Sequence, residues 1–180
     1  KISGGLTIRN AKKGEAFQAI DHTKHKLHEE DVVICDETGP QSLAGVMGGT
    51  TSEIEDNKTV NVFFEAAVWE PVRVARTSRR RKISSDASRR YERGVDAQLV
   101  ETALDVACAL LVKIAGGEAT DERFLYGDVA TPQPITMDVN HPASVAGYDY
   151  GADAVVSRLE EVGATVERDG DTLTVTPPTW

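Results

Sequence analysis

The first 65 residues alternate apolar and polar positions between turn signals, most clearly in "GGLTIRNA", "VVICDETGPQSLAGVMGG" and "TVNVFFEAAV". A period of two sends alternate side chains to opposite faces, so all three stretches predict β-structure. The pattern then changes. Pro71 stands where a first helical residue would, after Glu70, and "PVRVARTSRRRK" predicts a short helix with a basic outer face. From Asp96 onward Leu99, Ala103, Ala107, Leu110 and Ile114 recur at helical spacing, with Asp96 as cap and Gly116 and Gly117 as stop, which predicts a longer helix.

Past the linker-like "YGDVATPQP" a smaller unit begins. It reads as a strand at "ITMDV", a short helix opened by Pro142, and a second helix over "GADAVVSRLEEVG" with Val155, Val156, Leu159 and Val162 on one face. A hairpin at "ATVERDGDTLTV" follows, where Asp169 and Gly170 are expected to supply the positive φ angles of a type I′ turn. The expected fold class is α+β: a mixed, β-rich domain with helices over residues 1–130, then a small winged-helix-like α+β unit over 131–180.

Composition narrows the classes of function. A chain of 180 residues, 40% of them apolar, fits one large or two small domains with an ordinary core. A net charge of −9 counts against a general nucleic-acid coat or a membrane-surface binder. Any RNA contact is therefore expected to be local, with neither DNA nor membrane as partner. Cys35 and Cys108 lie in apolar runs without a CxxC spacing, which predicts reduced, buried thiols and the cytoplasm. Neither a run of eighteen apolar residues nor a charged-then-apolar leader occurs, so no membrane span or signal peptide is expected. Opening on Lys1 and closing on Trp180 after Pro177 and Pro178, the chain reads as a piece of a longer polypeptide.

Several stretches carry candidate chemistry. The glycines of "AGVMGGTTS" either let backbone approach a ligand or simply turn the end of a strand; the Lys-Ser or Lys-Thr of a Walker phosphate loop is missing. Glu65 sits in the most apolar segment, where an unpaired carboxylate costs on the order of several kcal/mol. It is either half of an ion pair with an arginine at 79 to 93 or a recognition group in a pocket. His22, His25 and His28 fall three apart, but Lys24 and Lys26 repel a cation and no metal site is expected. Ser84, Ser85 and Ser88 lack both a GxSxG elbow and a nearby histidine base. The basic run that begins at Arg79 is either a ligand site or a helix face of arginines paired with Asp86, Glu92 and Asp96; Arg89 and Arg93 are four apart, as a charge ladder requires.

In this order and spacing, "SLAGVMGG", "NVFFEAAVW", "RRKISSDASRRYERGVD" and "GGEATD" resemble the β-subunit family of bacterial phenylalanyl-tRNA synthetases. The first three quarters resembles the family's B3/B4 editing domain, and the remainder most of its B5 domain. The resemblance implies hydrolysis of tyrosine attached by mistake to tRNA(Phe), within an α2β2 enzyme that joins phenylalanine to tRNA(Phe) elsewhere, using ATP and magnesium. No cofactor is implied for this stretch itself, and its partners would be the tRNA acceptor end and the α subunit. Such editing has a physical logic, because an apolar pocket rejects an added hydroxyl poorly while a second site that demands the hydroxyl filters sharply.

On this resemblance Glu65 accepts the tyrosine hydroxyl and, with Ser85, is a catalytic group. Gly45 and Gly48 line the amino-acid pocket, and Ser85 with Ala87 shapes it and holds the attacking water. A side chain larger than that of Ala87 would fill the site. The family often has threonine in place of Ser85, and its editing histidine would fall upstream of Lys1. "RRYERGVD" is expected to lock the pocket wall to the following helix through ion pairs, while Arg79, Arg80 and Arg81 are candidates for tRNA contact. The alternative from another class is a non-catalytic tRNA-binding or scaffold module of the synthetase.

Overall fold

A computed structural model describes residues 2–180, which divide into two compact units. The first runs to Val95 and also takes in Val100–Ala119; the second comprises Asp96–Leu99 and Thr120–Trp180. The mixture of sheets and helices is the α+β class the sequence predicts.

In the first unit the alternating stretches become strands: β1 (Thr7–Asn10), β2 (Ala16–Gln18), β3 (Lys24–Lys26), β4 (Val32–Asp36), β5 (Gly39–Leu43) and β6 (Met47–Gly48). β1, β4, β5 and β6 form an antiparallel sheet in that order, and β2 pairs with β3 as a separate ribbon. The continuous apolar run "VVIC" marks β4 as a central strand, and Val33, Ile34 and Cys35 are all buried. Phe17, Ala19, Leu27, Val33, Leu43, Val46, Val74 and Ile83 make the core.

The helices of this unit are α1 (Pro71–Arg81), α2 (Asp86–Tyr91) and α3 (Val100–Ala115). Pro71 opens α1, where the Glu70 carboxylate accepts from the backbone N–H groups of Val72 at 3.0 Å and Arg73 at 2.7 Å. Lys82 in the left-handed region closes it. Buried Asp31 anchors α1 to the loop before β4. It accepts from Thr77 Oγ1 at 3.1 Å and Arg80 Nη1 at 2.5 Å, and Arg81 Nε stands 3.1 Å away. That last approach lacks hydrogen-bond geometry, so its attraction is coulombic alone.

Three expectations for residues 1–119 are corrected. The stretch "TVNVFFEAAV" enters no ladder among the described residues, and Val60 is 87% exposed. Alternation makes a chain able to extend, but a strand also needs a neighbour's unpaired N–H and C=O groups alongside it, and this stretch pairs with none of the described strands. The long helix forms, but Asp96 caps a 3-10 turn at Ala97–Leu99, donated to by Gln98 N at 2.9 Å, and α3 begins only at Val100. None of the α3 residues is buried, so Cys108 is only half-buried although Cys35 is buried as expected; both thiols are free.

The second unit contains β7 (Ile135–Asp138), α4 (His141–Ala146), α5 (Ala152–Glu161), β8 (Thr165–Asp169) and β9 (Thr172–Thr176). Helix, helix and hairpin follow in the winged-helix-like order predicted, with β9 central in a three-stranded antiparallel sheet. Val139, Val155, Leu173 and Val175 are its buried core. The hairpin's two-residue loop is Gly170–Asp171, not Asp169–Gly170, because Asp169 still pairs with Thr172. Positive φ occurs there only at Gly170, as a type II′ rather than a type I′ turn requires.

Candidate functional site

The glycine stretch forms the bend from β5 into β6. Gly45 takes a φ of +66°, and a β-carbon there would stand 2.9 Å from Trp69 Cδ1 and 3.1 Å from Val74 Cγ2. A side chain at Gly45 is thus excluded by both conformation and space. Trp69 covering this bend ties it to the segment that carries Glu65, four residues upstream.

Beside the bend lies a cleft of ≈ 530 Å³, within the range of small-molecule sites. Its sheet-side wall includes Ile34, Ser42 and Gly48, and its other wall comes from the irregular segment that includes Val62, Phe63 and Glu65. The lining mixes apolar side chains with polar and charged ones, Gln41, Ser42, Glu53, Lys58 and Glu65 among them, so apolar contact and polar groups able to fix a ligand's orientation are both present.

Glu65 has no hydrogen bond or ion pair among the described residues, so the buried-pair reading of this carboxylate is not what forms. Although the residue as a whole is exposed, desolvation pushes its carboxyl above the usual carboxylate range. Burial, and then the charge of Glu65, push the Tyr91 phenol up in turn. Tyr91 packs against the core from α2, which puts that helix in electrostatic reach of the cleft's carboxylate.

Ser85 is first a helix cap. Its Oγ accepts from Ser88 N at 3.0 Å, and Ser88 Oγ accepts from Ser85 N at 3.0 Å, a reciprocal capping box. The Ser85 hydroxyl proton goes to the carbonyl of Val46 at 2.5 Å, stapling α2 to the glycine bend and leaving one lone pair for a further donor. Ala87 is exposed on α2. Of the candidate pocket residues, the cleft lining therefore brings together Gly48 and Glu65, while Gly45, Ser85 and Ala87 stand outside it.

The basic run divides. Arg80 and Arg81 are committed to Asp31, with further bonds from Arg80 to Glu30 and from Arg81 to the carbonyl of Lys26. Arg79 is exposed and makes no side-chain contact of this kind among the described residues. The expected ion-pair lock across "RRYERGVD" does not form: Arg89 stands 4.0 Å from Asp86 on the exposed surface, and Arg93 has no ion pair among the described residues. α2 is held instead by the capping box, by buried Ser88 and by Tyr91. The histidines serve local bonds, His25 Nε2 with Thr23 Oγ1 at 2.7 Å and His28 Nδ1 accepting from Glu30 N at 3.2 Å.

One wall residue gave no signal in the sequence. Gln41 is 5% exposed and borders the cleft. It donates to Asp36 Oδ1 at 2.8 Å, and its Oε1 accepts from Thr51 Oγ1 at 2.7 Å, so both ends of the amide are fixed. Asp36 itself is held down to about 2, foremost by the Thr38 hydroxyl.

The sequence model of the B3/4 domain family matches residues 1–116. The chain is 61% identical over 180 residues to the phenylalanine-tRNA ligase beta subunit of Corynebacterium efficiens and 61% identical to that of Corynebacterium glutamicum. Against the beta subunit of Streptomyces avermitilis it is 44% identical over 182 residues. These matches cover 100% of this chain but only 21–22% of the relatives' length.

Proposed function

The chain belongs to the B3/4 domain family, and from that premise we propose that its cleft selects a tyrosyl group on tRNA(Phe) and supports hydrolysis of that ester. The observation that carries this reading is Glu65: a carboxylate pushed up by desolvation, without a hydrogen-bond or ion-pair partner among the described residues, in a cleft within the small-molecule range. A tyrosine hydroxyl satisfies it, whereas phenylalanine leaves it bare, a difference of roughly 1.5–3 kcal/mol for a hydrogen bond to a charged acceptor. In the reaction water adds to the ester carbonyl, the bond to the ribose oxygen breaks, and tyrosine and free tRNA leave. Gly45 and Gly48 give the bend that shapes the pocket. Ser85 acts from outside the cleft lining, holding that bend and keeping one lone pair with which to orient the attacking water, whereas Ala87, exposed on α2, lines no part of the cleft.

In this reading the longer protein is a cytoplasmic phenylalanine-tRNA ligase, with an α subunit as partner and ATP and magnesium used outside this stretch. Arg79 is the member of its triplet free to meet the acceptor end. Residues 131–180 are, in the same reading, most of a B5-type domain. Calorimetry is the test of the pocket: tyrosine binding about tenfold or more tighter than phenylalanine is expected, and equal affinities would sink the reading. Deacylation of Tyr-tRNA(Phe) by this chain, beside one lengthened upstream to include the histidine that the resemblance implies, tests the chemistry.

The uncovered apolar face of α3, where Ile114 is 74% exposed, favours a second reading as a scaffold that docks other parts of a synthetase. Equal tyrosine and phenylalanine affinities together with no deacylation by either chain would select it.

A further inference from the structure

Residues 70–93 carry nine Lys and Arg against three Asp and Glu, the densest positive stretch in the chain. Folding neutralises this charge unevenly. Arg80 and Arg81 turn inward to Asp31, and the Glu70 carboxylate is spent capping α1. Arg73 reaches Asn10 Oδ1 at 3.0 Å. Arg76, Arg79, Arg90 and Arg93 are exposed and have neither an ion pair nor a side-chain hydrogen bond among the described residues.

Helical spacing sets where they project. On α1, Arg76 and Arg79 share the stripe of exposed Val72, at i+4 and i+7, opposite buried Val74 and Thr77. On α2, Arg90 lies opposite buried Ser88 and half-buried Tyr91, and Arg93 follows just beyond the helix end. α1 and α2 pack on each other across a short connection. The Ser85 cap then joins α2 to the bend that carries Gly48 into the cleft.

We propose that the outer stripes of α1 and α2 form a surface for the phosphate backbone of an RNA strand, carried by Arg76, Arg79, Arg90 and Arg93. Guanidinium groups suit this partner because their planar forks donate in pairs to phosphate oxygens and stay charged at every working pH. The surface rests on the editing reading only in taking RNA as the polyanion, and bare tRNA carries no ester, so binding is read without turnover.

The test is binding of deacylated tRNA(Phe) to the full chain across a salt series, with polyglutamate as a rival polyanion. Replacing the four arginines by glutamine is expected to weaken tRNA binding and to lower the slope of log affinity against log salt by about three to four, roughly 0.7–0.9 per lost phosphate contact. The Arg→Lys quadruple variant keeps the slope, which separates charge from folding defects, and both variants are checked by thermal melting. An unchanged slope in the glutamine variant, no salt-dependent binding by the unaltered chain, or tighter binding of polyglutamate than of tRNA would overturn the proposal. RNA binding through these arginines without Tyr-tRNA(Phe) hydrolysis sinks the editing reading alone; hydrolysis with an unchanged salt slope sinks this surface alone.

Discussion

The two units divide the chain's charge unequally. The second holds twelve Asp and Glu against three Lys and Arg, so the whole net charge of −9 resides there, and the first is balanced. Their interiors differ as well. Every buried polar residue, namely Asp31, Asp36, Gln41, Thr77 and Ser88, belongs to the first unit, while the second buries only apolar side chains. An overall acidic charge therefore says little about RNA contact by the first unit, whose own charges balance and whose positive residues are concentrated in one stretch. The winged-helix-like order of the second unit is likewise no sign of nucleic-acid binding, because its acidity opposes phosphate. Fixed polar geometry and free positive charge coincide only in the first unit.

The difference in interiors can be broken at Asp31, where the largest effect is expected. Replacing it by alanine leaves Arg80 and Arg81 facing a buried vacancy and removes the acceptor for Thr77. Loss of one partner in such a network costs about 3–5 kcal/mol. Hydrogen exchange should then report lost protection in β4 and β5 with β8 and β9 unchanged. Equal loss in both units, or none in the first, would show that the two interiors do not differ in this way.

The next effect concerns selectivity. Glu65→Gln should erase most of the tyrosine preference, roughly 1.5–3 kcal/mol, with little change in phenylalanine affinity. Its pH dependence has a definite sign. Because the folded carboxyl of Glu65 lies above its ordinary value, its contribution to stability is full at acid pH and is lost as pH rises through the raised value, while tyrosine affinity rises over the same interval. Asp36 behaves oppositely. Held down to about 2, it stabilises the fold above the ordinary carboxylate range, and that stability is lost as pH falls toward about 2. Titration of tyrosine affinity by calorimetry, alongside melting temperature, should separate the two arms. Glu65→Gln should flatten the first and leave the second.

A smaller loss is expected from Ser85→Ala, which removes the cap on Ser88 and the staple to Val46, about 1 kcal/mol by analogy with other helix caps. Ser85→Thr keeps the hydroxyl and should recover most of it. If alanine leaves melting unchanged but abolishes deacylation, the hydroxyl acts on the reaction and not on the bend.

What the sequence made legible follows from how local each signal is. Pro71 with Glu70, the strand at "VVICD" and the β8–β9 hairpin are specified by neighbours in the chain, and all three form. The stretch around Val60 and the apolar face of α3 depend on distant partners, and their patterns state only which surface needs covering. Asp31 and Gln41 were silent for a related reason: a single Asp or Gln in a strand or loop looks like any surface residue until its partner is known, α1 from far along the chain for Asp31 and Thr51 from beyond the next bend for Gln41. Glu65 was legible as a candidate because a lone carboxylate among apolar residues is anomalous without any partner in view.

The same locality misled the reading of Arg93, which supplies the smallest effect and a sharp comparison with Arg80. Charges that alternate in sign along "RRYERGVD" suggested a stabilising ladder, yet Arg93 stands exposed and without an ion pair among the described residues. An exposed residue with no such contact changes stability by no more than about 0.5 kcal/mol, so Arg93→Ala should leave the melting temperature almost unmoved. Arg80→Ala removes a bond to fully buried Asp31 and should lower it clearly. The salt slope for tRNA should respond in the reverse order, falling by about one for Arg93→Ala and hardly at all for Arg80→Ala. Melting and salt slope thus form a crossed pair, and a variant that moves both or neither would show that burial does not sort these arginines into structural and RNA-facing sets.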